Sequence, residues 1–123
     1  MKGTRGPKRS RRAVAKATVS ELVFVVDVSS FTKEGFVGTT EYGGRRVDLE
    51  FDDAGDGIFL NSEMAGRLGV RKGSAIVVTV ENDANMVAKA TIAGVGKTLR
   101  ISDAKVYYAV GREGGAVIRV SKG

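Results

Sequence analysis

Two short stretches of the chain have residue types whose spacing is suited to chemistry. The first, Gly94-Val95-Gly96-Lys97-Thr98, has the composition of the end of a phosphate-binding loop, in which backbone amides and a lysine hold phosphate oxygens. The complete pattern needs a glycine at position 91, where this chain has Thr91, and a long helix after the Lys-Thr pair, where we predict a strand. We therefore predict no nucleotide hydrolysis, although the amides of this loop and Lys97 can receive a nucleic-acid phosphate.

The second stretch is acidic, Asp52-Asp53-Ala54-Gly55-Asp56-Gly57. Carboxylate oxygens are the ligands that hard cations such as Ca²⁺ prefer. Asp and Gly are also the residues that tight turns favour, because their backbones reach the conformations that turns require. We interpret this stretch as an acidic turn, and we predict no metal and no other cofactor.

The 123 residues include no histidine and no cysteine. These absences remove the commonest general base, the usual paired nucleophiles and the best zinc ligands. Carboxylates, lysines, tyrosines and hydroxyls remain, which is a small set for catalysis, so we predict that the protein is not an enzyme. The sequence also lacks an apolar run near the roughly 18 residues of a membrane span. We therefore expect a soluble, cytoplasmic protein without a membrane partner.

Basic residues are concentrated at the start of the chain, where no acidic residue occurs within the first sixteen positions. The rest of the chain has 13 basic and 14 acidic residues, so the formal net charge of +6 belongs to this segment. We predict that residues 1–18 form a flexible basic tail that a polyanion, most commonly nucleic acid, can order. The alternative is a solvated tail that aids solubility and binds nothing specific. The cations are Lys2, Arg5, Lys8, Arg9, Arg11, Arg12 and Lys16.

Downstream of the tail, the apolar patterns are those of β-strands separated by turns. The β-branched run Leu22–Val28 and the period-2 alternation over Arg46–Phe51 are the clearest examples. Capping residues then predict two short helices, at about 62–69 and 103–109, that begin after Asn61-Ser62 and Ser102-Asp103. Further strands are predicted at Phe36–Tyr42, Ile58–Leu60 and Ala75–Val80.

The second half of the body repeats the pattern of the first half. A shift of 41 residues places 45–82 on 86–123, and the apolar positions, capping pairs and turn glycines coincide in order. Leu60 and Ile101 are then predicted to be equivalent inward positions, and Arg71 and Arg112 to occupy equivalent turns. Because a slip of one residue would turn each strand's apolar side chains to the wrong face, this preserved phase indicates a duplicated strand–strand–helix–strand unit.

The segments Ile58–Val78 and Leu99–Val120 together resemble the double-psi β-barrel family, in which two such units interlock about a pseudo-twofold axis. The likeness is closest to the amino-terminal barrel of archaeal and eukaryotic AAA unfoldases of the valosin-containing type. It covers about residues 45–123 and departs from the family at Ser74 and Gly115, where an acidic residue is common. The resemblance implies a mostly β double-psi barrel over residues 19–123, with extra strands at 20–44. It also implies, as one functional alternative, a free-standing adaptor barrel that recognises proteins.

The charge distribution points to a different function, a non-enzymatic nucleic-acid-binding accessory protein. We expect RNA rather than DNA as the partner, because the predicted helices are too short to read a major groove. A basic tail on a nearly neutral body is also suited to a component of the ribosome or of another ribonucleoprotein. Tyr42, Tyr107 and Tyr108 can stack on bases, or one of the adjacent pair can pack into the barrel while the other stays half-exposed. Within the body, ordinary surface charge is the alternative to phosphate contacts at Arg45, Arg46, Arg71, Lys72, Lys97 and Arg112.

Overall fold

A computed structural model describes residues 18–123 as a β-barrel with two helices. The predicted tail residues 1–17 lie outside the described part of the chain. Eight strands and two helices follow in the order β1 (Glu21–Phe31), β2 (Gly35–Tyr42), β3 (Arg45–Asp52), β4 (Gly57–Asn61), α1 (Ser62–Leu68), β5 (Ala75–Glu81), β6 (Met86–Gly96), β7 (Arg100–Ser102), α2 (Ala104–Glu113) and β8 (Gly115–Lys122).

The strands close into one barrel in the order β1-β2-β3-β7-β4-β6-β5-β8, and β8 pairs with β1 to complete the wall. The β3–β7 and β4–β6 pairs are parallel, and the other pairs are antiparallel. The prediction of a mostly β barrel is therefore confirmed. The strands predicted as extras at 20–44 are part of the wall itself, as the hairpin β1–β2 between β8 and β3.

The strand pairing follows the 41-residue repeat. The first strand of each unit, β3 or β6, pairs in parallel with the second strand of the other unit, β7 or β4. The second strands also pair with each other, and Phe59 stands opposite Arg100, its equivalent in the repeat. The two units differ in register, since Phe51 pairs with Ile101 whereas Ile92 pairs with Ile58, two residues from the equivalent position.

Inward-facing side chains from both units fill the barrel. Leu60 and Ile101, predicted to be equivalent inward positions, are both buried. Phe36 stacks on Phe51 at 4.8 Å and on Tyr107 at 5.1 Å between ring centroids, which joins the hairpin to α2. Alternation between buried and exposed residues along β1 and β5 shows that the period-2 pattern records the two faces of the wall.

Both helices begin at the capping residues that the sequence predicts. Asn61 and Asp103 cap the amino termini by accepting bonds from Met64 N and Val106 N, and Gly69 and Gly114 end the helices in the left-handed conformation. The second helix extends to Glu113, four residues past its predicted end. Arg112 therefore lies in the last helical turn, and the prediction that it occupies a turn equivalent to that of Arg71 is wrong.

Within residues 18–123, neither helix is long and apolar enough to span a membrane.

Candidate nucleic-acid interface

The strand directions assign every connection to one of two ends of the barrel. The first end has the β2–β3 hairpin, α1 with the turn that follows it, and the loop between β6 and β7. The second end has the β1–β2 loop, the acidic turn after β3, the β5–β6 loop and α2. Charged residues are divided unequally between these ends, and we call the first the basic end and the second the acidic end.

The basic end has seven basic residues and three acidic ones, Glu21, Glu41 and Glu63. Glu21 is already engaged, because the guanidinium of Arg119 contacts it at 2.8 Å. All seven cations are exposed, and none is in an ion pair with an acidic side chain of residues 18–123. Their charge is therefore available to an anionic partner. They are Arg45, Arg46, Arg67, Arg71, Lys72, Lys97 and Lys122.

The acidic end reverses this balance. Three basic residues, Lys33, Lys105 and Arg112, stand there among eight acidic residues. Five of the six body cations predicted to contact phosphates thus lie together at the basic end, and Arg112 lies at the other end. The eight acidic residues are Glu34, Asp52, Asp53, Asp56, Glu81, Asp83, Asp103 and Glu113.

The described chain starts at the basic end. The amide of Val19 donates to the carbonyl of Arg67 at 2.8 Å, which fixes the first described residues beside α1. Gly69 is close to both Thr18 and Lys122, since a Cβ added to it would lie 3.2 Å from Thr18 Cγ2 and 3.4 Å from Lys122 Nζ. The seven predicted tail contacts, Lys2 to Lys16, lie outside the described residues, but the peptide chain joins them to this end.

The Gly94–Thr98 stretch borders a shallow concavity of about 150 Å³ at the basic end. β6 continues through Gly96, and β7 begins at Arg100, so a strand follows the Lys-Thr pair as predicted. Phe59 is one of its lining residues, and the guanidinium carbon of Arg100 lies 4.4 Å from the centroid of the Phe59 ring. A side chain at Gly94 would meet the same ring at 3.1 Å, so this glycine allows the strand to pass close to the aromatic face.

One electrostatic feature, the pair between Asp52 and Arg100, was missed by sequence reasoning. Asp52 is only 7% exposed, accepts from Arg100 Nη1 at 2.6 Å, and also accepts from the Ser102 hydroxyl and the Ala54 amide. Burial opposes ionisation, but the bonds from Ser102, Ala54 and Arg100 outweigh it and lower the pKa of Asp52. Because 48 positions separate Asp52 from Arg100, no local pattern indicated the pair.

The acidic turn contacts the residues around this pair. The Asp56 amide donates to the Ser102 hydroxyl at 3.0 Å, and the Asp56 carboxylate lies 3.5 Å from Arg100. Among residues 18–123, no three acidic side chains are grouped so as to hold a metal ion. These contacts tie Asp52 and Asp56 of the turn to β7.

The three tyrosines have different environments. Tyr42 packs against Phe24 with ring centroids 5.9 Å apart, and Tyr107 stacks on Phe36. Tyr108 is 56% exposed and donates its hydroxyl to Asp53 at 3.2 Å, which raises its pKa. The interpretation that one of the adjacent pair packs inward while the other stays half-exposed is confirmed.

Comparison of the chain with family models, curated proteins and solved structures finds no match. The likeness to unfoldase barrels therefore stays a prediction.

Proposed function

We propose that the protein binds nucleic acid through its basic end and its amino-terminal tail, without catalysing a reaction. The observation that carries this proposal is the coincidence of two sets of cations. Seven exposed basic side chains without ion pairs to the described acidic residues surround one end of the barrel, and the chain that continues to the seven tail cations starts there. A polyanion at this end can contact both sets at once, and each phosphate contact releases condensed counterions.

RNA suits this surface better than duplex DNA. The cations lie on connections and strand ends rather than along a long exposed helix, and α1 has seven residues. A rim of this kind contacts phosphates on an irregular surface, as in folded or single-stranded RNA, and lacks the helix that major-groove reading requires. The proposed role is an accessory component of a ribosome or another ribonucleoprotein, in the cytoplasm.

For the fold, the proposal is a double-psi barrel enlarged by one hairpin. Support comes from the pairing of β3 with β7 and of β6 with β4, which exchanges strands between the two repeated units. In unit one, β5 pairs directly with β6, the first strand of unit two. The equivalent partner of β8 would be β3, and the hairpin β1–β2 occupies the place between them.

A protein-binding adaptor is the second candidate function. The observation in its favour is Phe31, which is 77% exposed at the acidic end and leaves an aromatic surface open to solvent. A role of this kind would depend on the acidic end, whereas nucleic-acid binding depends on the basic end. Variants at each end therefore separate the two candidates.

The test measures the affinity for single-stranded and structured RNA as a function of salt. Seven tail contacts would give a log–log slope of up to roughly −5 with single strands, and each lost contact removes about 0.7 from it. Deleting residues 2–16 is expected to remove this contribution and to leave the part of the slope that comes from the basic end. Replacing Arg71, Lys72 and Lys97 by Gln is expected to remove up to about 2 more.

The matched control changes the same charge at the other end, with Lys33, Lys105 and Arg112 replaced by Gln. This control is expected to leave the slope unchanged, since those side chains lie outside the proposed interface. Equal losses in the two triple variants would show that only total charge matters. RNA binding by the full chain that is no tighter than that of the tail-deleted form at about 0.1 M salt would overturn the proposal.

A further inference from the structure

Two adjoining concavities at the acidic end have Phe36 as a common lining residue. The first, of about 270 Å³, is aromatic and is lined by Phe31, Phe36, Tyr107, Tyr108, Gly111 and Arg112. The second, of about 390 Å³, has Glu34 and Glu50 among its walls, together with Asp52 and the Arg100 that is paired with it. We call the two together the aromatic–acidic groove.

The exposed aromatic side chains of this groove stand without a covering element in residues 18–123. Phe31 is 77% exposed and meets Phe36 edge-on at 6.2 Å, and Tyr108 is 56% exposed and meets Tyr107 edge-on at 5.0 Å. Glu34, Glu50 and Asp53 are exposed beside them and form no ion pair with a basic side chain of the same residues. Aromatic faces next to carboxylates are the environment that an arginine guanidinium prefers.

Charge complementarity identifies an occupant within the chain itself. The tail segment Arg11-Arg12-Ala13-Val14 offers two guanidinium groups followed by small apolar side chains. Its arginines suit the carboxylates and the aromatic faces, and Val14 suits the aromatic concavity. We infer that the aromatic–acidic groove of one molecule binds Arg11–Val14 of a second molecule, so that copies associate head to tail.

The short chain distance between Arg11–Val14 and the basic end excludes the same contact within one molecule. The tail is joined at the basic end, and β1, with eleven residues, runs from that end to the groove. At about 3.3 Å per residue, and with the usual tilt of barrel strands, roughly eight to eleven extended residues are needed to cover this distance. Arg11–Val14 stand only four to seven residues before Thr18, so they fall short of the groove of the same chain. A second copy has no such restriction.

The contact is heterologous, because it joins the tail of one copy to the groove of the next. Such interfaces form open chains of molecules unless a rotation closes a ring. They are also separable, since one copy can lose its groove while another loses its tail segment. This property gives a sharp test that uses the full-length protein and no nucleic acid.

The test is sedimentation velocity at about 0.05 M salt over a range of protein concentrations, where surface charges are weakly screened. The parent is expected to associate with increasing concentration. A groove variant, Phe31→Ala with Tyr108→Ala, and a tail variant, Arg11→Ala with Arg12→Ala, are each expected to associate at least about tenfold more weakly. A 1:1 mixture of the two variants is expected to form dimers and nothing larger, because only one productive contact remains.

Matched controls keep the test specific. Val87, 60% exposed on β6 outside the groove, is changed to Ala to match the loss of exposed apolar surface. Lys2→Ala with Arg5→Ala removes the same tail charge from another segment. Both controls are expected to associate like the parent. If the groove variant melts at a lower temperature than the parent, Glu34→Lys, an exposed change that reverses the groove charge, replaces it.

A parent that stays monomeric, a groove variant that associates normally, or a variant mixture without dimers would overturn the inference. Addition of a single-stranded oligonucleotide is a separate arm that rests on the proposed function. If nucleic acid occupies the tail, it is expected to dissociate the parent chains. Association that persists in saturating oligonucleotide would count against shared use of the tail, and the sedimentation results without nucleic acid would stand independently.

Discussion

The two ends of this barrel each have one of the two helices that the 41-residue shift aligns, but they have opposite electrostatic character. Each end has a capped helix that ends at a glycine, α1 at the basic end and α2 at the acidic end. Around α1 the basic residues outnumber the acidic ones, and around α2 the reverse holds. Residues 17–123 have a formal charge of −1, which conceals this separation. Position on the surface, rather than total charge, therefore decides which partner each end can attract.

The largest expected effect tests whether the ends are structurally equivalent. Leu60 precedes α1 and Ile101 precedes α2, and each is 1% exposed. Truncation of either to Ala is expected to lower the free energy of unfolding by about 2–5 kcal/mol, because a cavity opens in a closely packed core. Urea denaturation measures the loss. A loss at one position with none at the other would break the equivalence of the two units.

A second effect belongs to the acidic end alone. Asp52→Asn is expected to cost about 1–3 kcal/mol at neutral pH, because it leaves Arg100 and Ser102 without their charged acceptor. In the folded protein the pKa of Asp52 lies below its ordinary value of 3.8, so the ionised carboxylate stabilises the fold at higher pH. That stabilisation is lost as the pH falls through the lowered pKa.

The measurement is the stability of parent and variant between pH 7 and pH 2. The difference between them is expected to be greatest above about pH 5 and to shrink in acid, as the parent's carboxyl becomes protonated. Asp53→Asn is the control in the same turn, since within residues 18–123 the Asp53 carboxylate accepts a side-chain hydrogen bond only from the exposed Tyr108 hydroxyl, at 3.2 Å. A pH-independent difference for Asp52→Asn would mean that the ion pair does not stabilise the fold.

Most of the secondary structure could be predicted from the sequence because its signals are local. Asn61 and Asp103 cap helices wherever the rest of the chain lies, and strand alternation records only which face is buried. The predicted end of α2, at about residue 109, was wrong. Gly111 stays helical with the ring of Phe36 beside it, where an added Cβ would lie 3.1 Å from Phe36 Cε2, and Gly114 ends the helix.

The features that were missed depend on tertiary contacts. The hairpin β1–β2 is part of the wall because β1 pairs with β8 and β2 pairs with β3. Comparison of the two repeated units does not reveal these pairings. Pairing of Asp52 with Arg100 likewise follows from the parallel register of β3 with β7. The grouping of five predicted contact residues at one end became visible only when strand order assigned each connection to an end.

A smaller effect compares the glycines that end the two helices. Gly69 and Gly114 both have φ of 76°, a conformation that costs about 1 kcal/mol for alanine. Gly114 has open space around it, whereas a Cβ at Gly69 would meet Thr18 at 3.2 Å. Gly69→Ala is therefore expected to destabilise more than Gly114→Ala in thermal melts. Equal decreases in melting temperature would show that the residues beside Gly69 can move to accommodate the added methyl group. The start of the described chain would then be loosely held at the basic end.

The smallest expected effect is a change in melting temperature that measures the charge separation in the protein alone, without any partner. Lys72 stands among cations at the basic end and Lys105 among carboxylates at the acidic end. Lys72→Gln is expected to raise the melting temperature by about 1 °C, because it relieves repulsion, and Lys105→Gln to lower it by a similar amount. Both shifts should fade at about 1 M salt, where screening acts over roughly 3 Å. Shifts of the same sign at low salt would show that the barrel does not sense two separate charge environments. The basic end would then attract a polyanion only through its tail.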